Sequence, residues 1–179
     1  NAEWYGMDKI GHAASAYYIG YYTKDIFLWS GMSRKASIWT AGGLSFAYQS
    51  TIEVLDGFSA EWGASWGDWV SNFGGSALFV SQELLWKEQR FMLKMSYWPS
   101  DYASQRPDLL GSNFAESLLK DYNAQTYWLT CNIWSFLPNR NVSKFPRWLN
   151  VAVGYGANGM LGGFSNPPQG TVSIPSQQP

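Results

Sequence analysis

One cysteine, Cys131, and one histidine, His12, are all that 179 residues contain of those two types. A single thiol excludes an internal disulfide and a thiolate zinc site, and a lone Cys inside an apolar alternating run reads as packing. Charge is scarce as well. Asp, Glu, Lys and Arg together make 14% of the chain, where ordinary soluble domains carry about 25%. The 12 basic and 13 acidic residues nearly cancel, so no electrostatic footprint for nucleic acid exists and no such partner is expected. Familiar catalytic signatures are missing too. No G-x-S-x-G elbow presents a serine to His12, no HExxH pair is present, and Gly42-Gly43 lies mid-helix without the Lys-Ser/Thr of a phosphate loop. Gly154-Tyr155-Gly156 and the glycines from Gly159 to Gly163 follow a strand pattern with no helix behind them, so they read as turns or a strand ending.

What the chain has in excess is aromatic surface. Aromatics reach 18%, with 11 Trp and 11 Tyr. Such side chains suit places where one end is apolar and the other wet, as at a membrane interface. A Trp-rich core or a sugar-binding surface would use the same residues.

Periodicity near 3.6 predicts three helices, over 8–29, 34–55 and 66–87. Ser33 is placed to cap the start of the second, and Gly57, in Asp56-Gly57-Phe58-Ser59, to end it in a left-handed conformation. About 20 residues at a rise of about 1.5 Å give a helix of roughly 30 Å, the hydrocarbon thickness of a bilayer. No charge occurs between Lys35 and Glu53. Yet Lys24, Asp25 and four tyrosines sit in the first helix, and mean hydropathy is slightly negative. Helices lying in an interface, or packed beneath another membrane protein, fit equally well. Three small-residue stripes predict close helix contact: Gly11-x-x-x-Ser15, Gly43-x-x-x-Ala47 and Gly67-x-x-x-Ser71-x-x-x-Gly75.

After Lys87 the period changes to 2, predicting strands over 90–97, 125–137 and 148–156. Between the first two, Asn113-Phe114-Ala115-Glu116 reads as a capping box opening a short helix to Tyr122. Pro138 to Asn141 and Lys144-Phe145-Pro146 read as a hairpin-type connection, and Asn141-Val142-Ser143 matches a glycosylation acceptor. Strands of this length with small or polar alternates are a weak signature of outer-membrane strands, and a sheet with one wet face gives the same alternation. Three strands cannot close a barrel. The expected fold is therefore α+β. A three-helix unit over 1–88 holds a buried polar cluster, an antiparallel β region over 89–165 is open or partly barrel-like, and 166–179 is a flexible tail.

The polar cluster is the main functional clue. Spacings of three and four put Asp8, Lys9 and His12 on one side of the first helix, Gln49, Glu53 and Asp56 on one side of the second, and Asp68 and Asn72 on one side of the third. Turned inward, these faces gather four carboxylates around Lys9 and His12, and in a poorly solvated interior the four cannot all ionise without cations. Three solutions exist. Lys9 and a protonated His12 can form a salt-bridge network, with Gln49 and Asn72 as structural polar partners. One acid can stay protonated. Or a divalent metal ion can sit among His12, Glu53, Asp56 and Asp68, where imidazole with carboxylates suits Zn, Mn or Fe(II) and oxygens alone suit Ca or Mg. In a catalytic version His12, Lys9 and Asp8 do the work, with His12 as base or ligand and Lys9 as anion holder.

The order Asp-Lys-x-x-His, Glu-x-x-Asp, Asp-x-x-x-Asn-x-Gly, carried here by Asp8, Lys9, His12, Glu53, Asp56, Asp68, Asn72 and Gly74, resembles the YfiM-like family of predicted periplasmic lipoproteins, a family of unknown function. More distantly it resembles the VanZ-like membrane proteins. The stretches 121–128 and 145–156 resemble the longer form found in Bacteroidota, so the resemblance spans about 7–163. It implies a Gram-negative cell-envelope location, at the periplasmic face of the outer membrane or within it, and brings no activity with it. The first function expected is an accessory or structural subunit of an outer-membrane assembly, with membrane lipid and other outer-membrane proteins as partners. The alternative is a metal-dependent hydrolase or transferase acting on lipid-linked or phosphorylated envelope substrates. Sugar binding by the aromatics is a third.

Overall fold

The computed structural model describes residues 3–58, 63–138 and 145–167. Three long helices come first: α1 (Met7–Trp29), α2 (Arg34–Asp56) and α3 (Trp66–Leu85). They are followed by β1 (Phe91–Tyr97), the short helices α4 (Pro107–Leu110) and α5 (Phe114–Lys120), β2 (Gln125–Asn132) and β3 (Asn150–Tyr155). The strands form one open antiparallel sheet in the order β1–β2–β3. The fold is α+β, with polar residues buried among three packed helices.

Local side chains set most boundaries. The Ser33 hydroxyl accepts from the Ala36 amide at 3.4 Å, and Asn113 Oδ1 accepts from the Glu116 amide at 3.0 Å, capping α2 and α5. The Glu116 carboxylate turns back to the Ser112 amide and hydroxyl, 3.0 Å from each. Gly57 departs from expectation. It is right-handed, with φ −61°, and its amide donates to the Glu53 carbonyl, so α2 ends on an ordinary helical hydrogen bond. The second strand also stops short of 137. Asn132 Oδ1 accepts from the Ser135 amide at 3.0 Å and opens a tight turn over Ile133–Phe136, which ends the extended backbone. Ser59, the connection over 139–144 with its Asn141-Val142-Ser143 triplet, and the tail from 168 onward lie outside the described residues.

The described residues group into two compact units, one built from Lys9–Lys94 with Leu129–Val153 and the other from the rest. At the centre of the first lie Tyr17, Ala41 and Phe79, with Tyr18, Phe27, Val80 and Leu93 packed around them. Glycine sets how closely its helices approach. A Cβ on Gly75 would strike the backbone of Ala13, and one on Gly42 would strike the Val80 side chain. Gly43 faces open space, so the packing glycine of α2 is Gly42 and not its neighbour in the expected stripe. Gln82 ties α3 to the sheet. Its Oε1 accepts from the Arg90 and Phe91 amides at 2.9 and 2.7 Å, and its Nε2 donates to the Phe91 carbonyl at 3.0 Å. An amide side chain thus stands in for a neighbouring strand at the start of β1.

The second unit buries Trp4, Leu110, Met160 and Leu161. The Asn123 side chain grips Met160 through both backbone groups, accepting from its amide at 2.7 Å and donating to its carbonyl at 2.9 Å. Burial, with the charge of Asp8 adding to it, pushes the Tyr127 phenol up to about 12. Among the described residues, no helix is long and apolar enough to cross a membrane.

Candidate metal centre

Three helices each contribute one pair of polar residues to a common point in the first unit. Lys9 and His12 lie one turn apart on α1. Gln49 and Glu53 on α2, like Asp68 and Asn72 on α3, are four apart and so share a helix face. Gly75, one turn beyond Asn72, lets α3 lie directly on the α1 backbone at Ala13. That approach is what brings so short a side chain as Asn72 within reach of His12. Gly67 does the same for Lys9, whose stem passes where a Cβ would stand.

The result is compact. His12 Nδ1 lies 3.1 Å from Asn72 Oδ1, and His12 Nε2 lies 3.6 Å from Glu53 Oε1. Lys9 Nζ is 3.3 Å from Asp68 Oδ1. The Ser65 amide donates to the other Glu53 oxygen at 3.0 Å. One nitrogen of His12 and one carboxylate oxygen each of Glu53 and Asp68 lie within 4.8 Å of one another. Glu53, Asp68 and Asn72 are buried, whereas the His12 and Lys9 side chains remain 20% and 19% exposed. The cluster is therefore closed on the α2 and α3 sides and reachable past α1.

The electrostatics follow from that burial. Desolvation raises the Glu53 pKa; the Ser65 amide opposes it, Asp68 and Asp56 add to it, and His12 lowers it. The Asn72 side chain meets His12 Nδ1 and orients the ring so that Nε2 is turned toward Glu53. Imidazole nitrogen and carboxylate oxygens are the donor set of transition-metal and zinc sites. Without an ion, one ammonium faces two buried carboxylates here.

The other residues marked from sequence play different parts. Asp8 is buried with the second unit, where its charge acts on Tyr127. Asp56, half-buried at the end of α2, acts on Glu53 through its charge and is not one of the converging ligands. Gln49 Nε2 donates to the His12 carbonyl at 3.5 Å, supporting the helix that carries the imidazole. Ser65 is the residue that sequence reasoning passed over. Its amide holds Glu53, and its buried hydroxyl, like Asn72 Nδ2, has no hydrogen-bond partner among the described residues. Its position just before α3 marks an N-cap, but nothing local ties it to an acid twelve residues earlier.

Residues 1–83 match DUF2279, a family of predicted periplasmic lipoproteins. The DUF2279 span takes in α1, α2 and most of α3, and with them every residue of the centre, while the sheet lies beyond it. No curated protein and no solved structure matches the chain. The family description gives a location and no activity.

Proposed function

We propose that the DUF2279 segment is a divalent-cation centre, with His12, Glu53 and Asp68 as ligands, used for hydrolysis or group transfer on phosphorylated or lipid-linked envelope material. The observation that carries this reading is the convergence of three ligand atoms within 4.8 Å at a place where buried carboxylates outnumber the permanent cation. A dication would neutralise the carboxylates and leave the imidazole uncharged. Three protein ligands leave a coordination position open, as catalytic centres require, and the partly exposed α1 side gives a substrate its approach. An ion held by His12, Glu53 and Asp68 would supply a water of lowered pKa. In a hydrolysis the water oxygen bonds to phosphorus as the bond to the leaving oxygen breaks, and that oxygen takes up a proton. Lys9 stands beside Asp68, where its ammonium would hold the anionic group. The stretches 121–128 and 145–156 support assigning the remainder to the longer Bacteroidota form, and with it an outer-membrane location.

Elemental analysis after reconstitution with Zn, Mn or Fe(II) tests the reading. One tightly held ion per chain is expected, lost in His12→Ala and in Glu53→Gln while circular dichroism stays unchanged. Absence of stoichiometric metal in the folded wild type would sink it.

A second reading, as an accessory subunit of an outer-membrane assembly, is favoured by one feature. Every residue of β3 is exposed, and among the described residues no strand pairs with its outer edge. Strands left this way pair readily with another chain. A photo-crosslinker at Val153 should then capture an outer-membrane protein in cells, and crosslinks to solvent alone would remove the idea.

A further inference from the structure

The helices α2 and α3 are polar inside and apolar outside, the reverse of an ordinary soluble hairpin. Their buried faces carry Ser45, Gln49 and Glu53 on one helix and Asn72, Ser76 and Glu83 on the other. Their outer faces carry Trp39 and Tyr48 on α2, both 56% exposed, and Val70 and Phe73 on α3, 69% and 62% exposed. Phe46 joins the two faces, packing edge-on against Trp69 and Phe73 at centroid distances of 6.1 Å. From Ala36 to Leu55 and from Trp66 to Leu85 no exposed residue is charged, because every acid in those stretches is buried.

The ends of this face differ from its middle. At one end, Arg34 Nη2 donates to the Lys87 carbonyl at 3.1 Å, bringing the start of α2 beside the end of α3. Lys35 and Lys87 are exposed there. At the other end stand Phe58 and Trp66, 85% and 86% exposed. An apolar strip about 30 Å long with cations at one end and large aromatics at the other has the layout of a surface meeting phosphates, interface and acyl chains in turn.

We infer that the outer face of the α2–α3 hairpin docks onto an anionic phospholipid bilayer. The strip lies against the acyl-chain boundary, and Lys35 and Lys87 meet lipid phosphates. Docking of one face does not need a spanning helix. Averaged around each helix, the inner serines, amides and acids offset the outer aromatics, so neither helix is apolar enough to cross. A second copy of the same face is a poorer occupant. Along its apolar length it offers no exposed carboxylate, since Glu53, Asp68 and Glu83 are all buried, and the acids at its ends, Asp56 and Glu88, are half-buried. The inference is independent of whether the His12 centre holds an ion.

Flotation of the 179-residue chain, produced without acylation, on phosphatidylglycerol–phosphatidylcholine vesicles tests it. The wild type should float with the vesicles. Val70→Glu combined with Phe73→Glu, both at exposed positions, should lower the partition coefficient by about tenfold or more with an unchanged circular dichroism spectrum. Lys35→Glu with Lys87→Glu should weaken binding to vesicles containing phosphatidylglycerol and leave binding to pure phosphatidylcholine unchanged. Three results would overturn the inference: wild type left at the bottom of the gradient, the Val70→Glu/Phe73→Glu variant floating as well as wild type, or a concentration-dependent dimer that this variant dissolves while vesicles have no effect.

Discussion

The first unit contains two buried charge clusters, and they are built to different specifications. Around Glu83, Lys24 Nζ lies 3.0 Å from one carboxylate oxygen, Arg34 holds the other, and Gln89 Nε2 donates at 3.1 Å. Two permanent cations and an amide serve this acid, with Lys24 shared with the exposed Asp25 at 3.3 Å. Around Glu53, two acids face one permanent cation, an imidazole and a backbone amide. The Glu83 cluster is complete in itself and holds α1, α2 and α3 together. Among the described residues the Glu53 cluster has one permanent cation for two acids and is oriented by Asn72. Buried charge alone does not mark a functional site, and the difference between the two clusters is what the proposed cation centre rests on.

Substitutions at the two ends should therefore behave differently. The largest effect belongs to Glu83→Ala, which leaves buried Lys24 with only the exposed Asp25, 3.3 Å away, and takes the carboxylate from Arg34. A loss of about 3–5 kcal/mol in urea denaturation is expected, and a loss near zero would erase the contrast between the clusters. Gly75→Ala comes next, because its methyl meets the Ala13 backbone. It should cost about 1–3 kcal/mol and reduce metal occupancy together with stability, since α1 is displaced from α3. Asn72→Ala should leave the ion stoichiometry intact but weaken its binding about 10- to 100-fold by releasing the imidazole, measured by competition with a chelating dye. The smallest effect is that of Glu53→Gln on the metal-free protein. A raised pKa in the folded state means that the fold binds more protons than the unfolded chain. Glu53 thus contributes stability fully below its ordinary value of 4.5 and loses it as pH rises through its folded value. Denaturation of the apo wild type should show stability falling over that window, and the Gln variant should flatten the slope. A slope that survives the substitution belongs to another group.

The three helices were legible because their periodicity is long and their breaks are chemically marked, as at Ser33. Inward-facing polar residues were legible for the same reason: Glu53 and Gln49, or Asp68 and Asn72, can share a face only by pointing the same way. Which members of the cluster actually meet was not legible. Asp56 lies one turn from Glu53, and only the position where α2 crosses α1 decides that Glu53 reaches the imidazole. Adjacent glycines pose the same difficulty, since Gly42 packs on Val80 and Gly43 faces open space. The end of β2 depended on a side chain turning back on its own backbone at Asn132, a local competition that alternation does not reveal.

The bond from the Ser65 amide to Glu53 has a mechanical consequence. It fastens the threshold of the third helix to a group whose charge changes with its surroundings, across the hairpin from which both emerge. Any cation that draws the carboxylate toward itself must also pull on that anchorage. A cation bound at Glu53 would thereby be coupled to the seating of the helix that supplies Asp68.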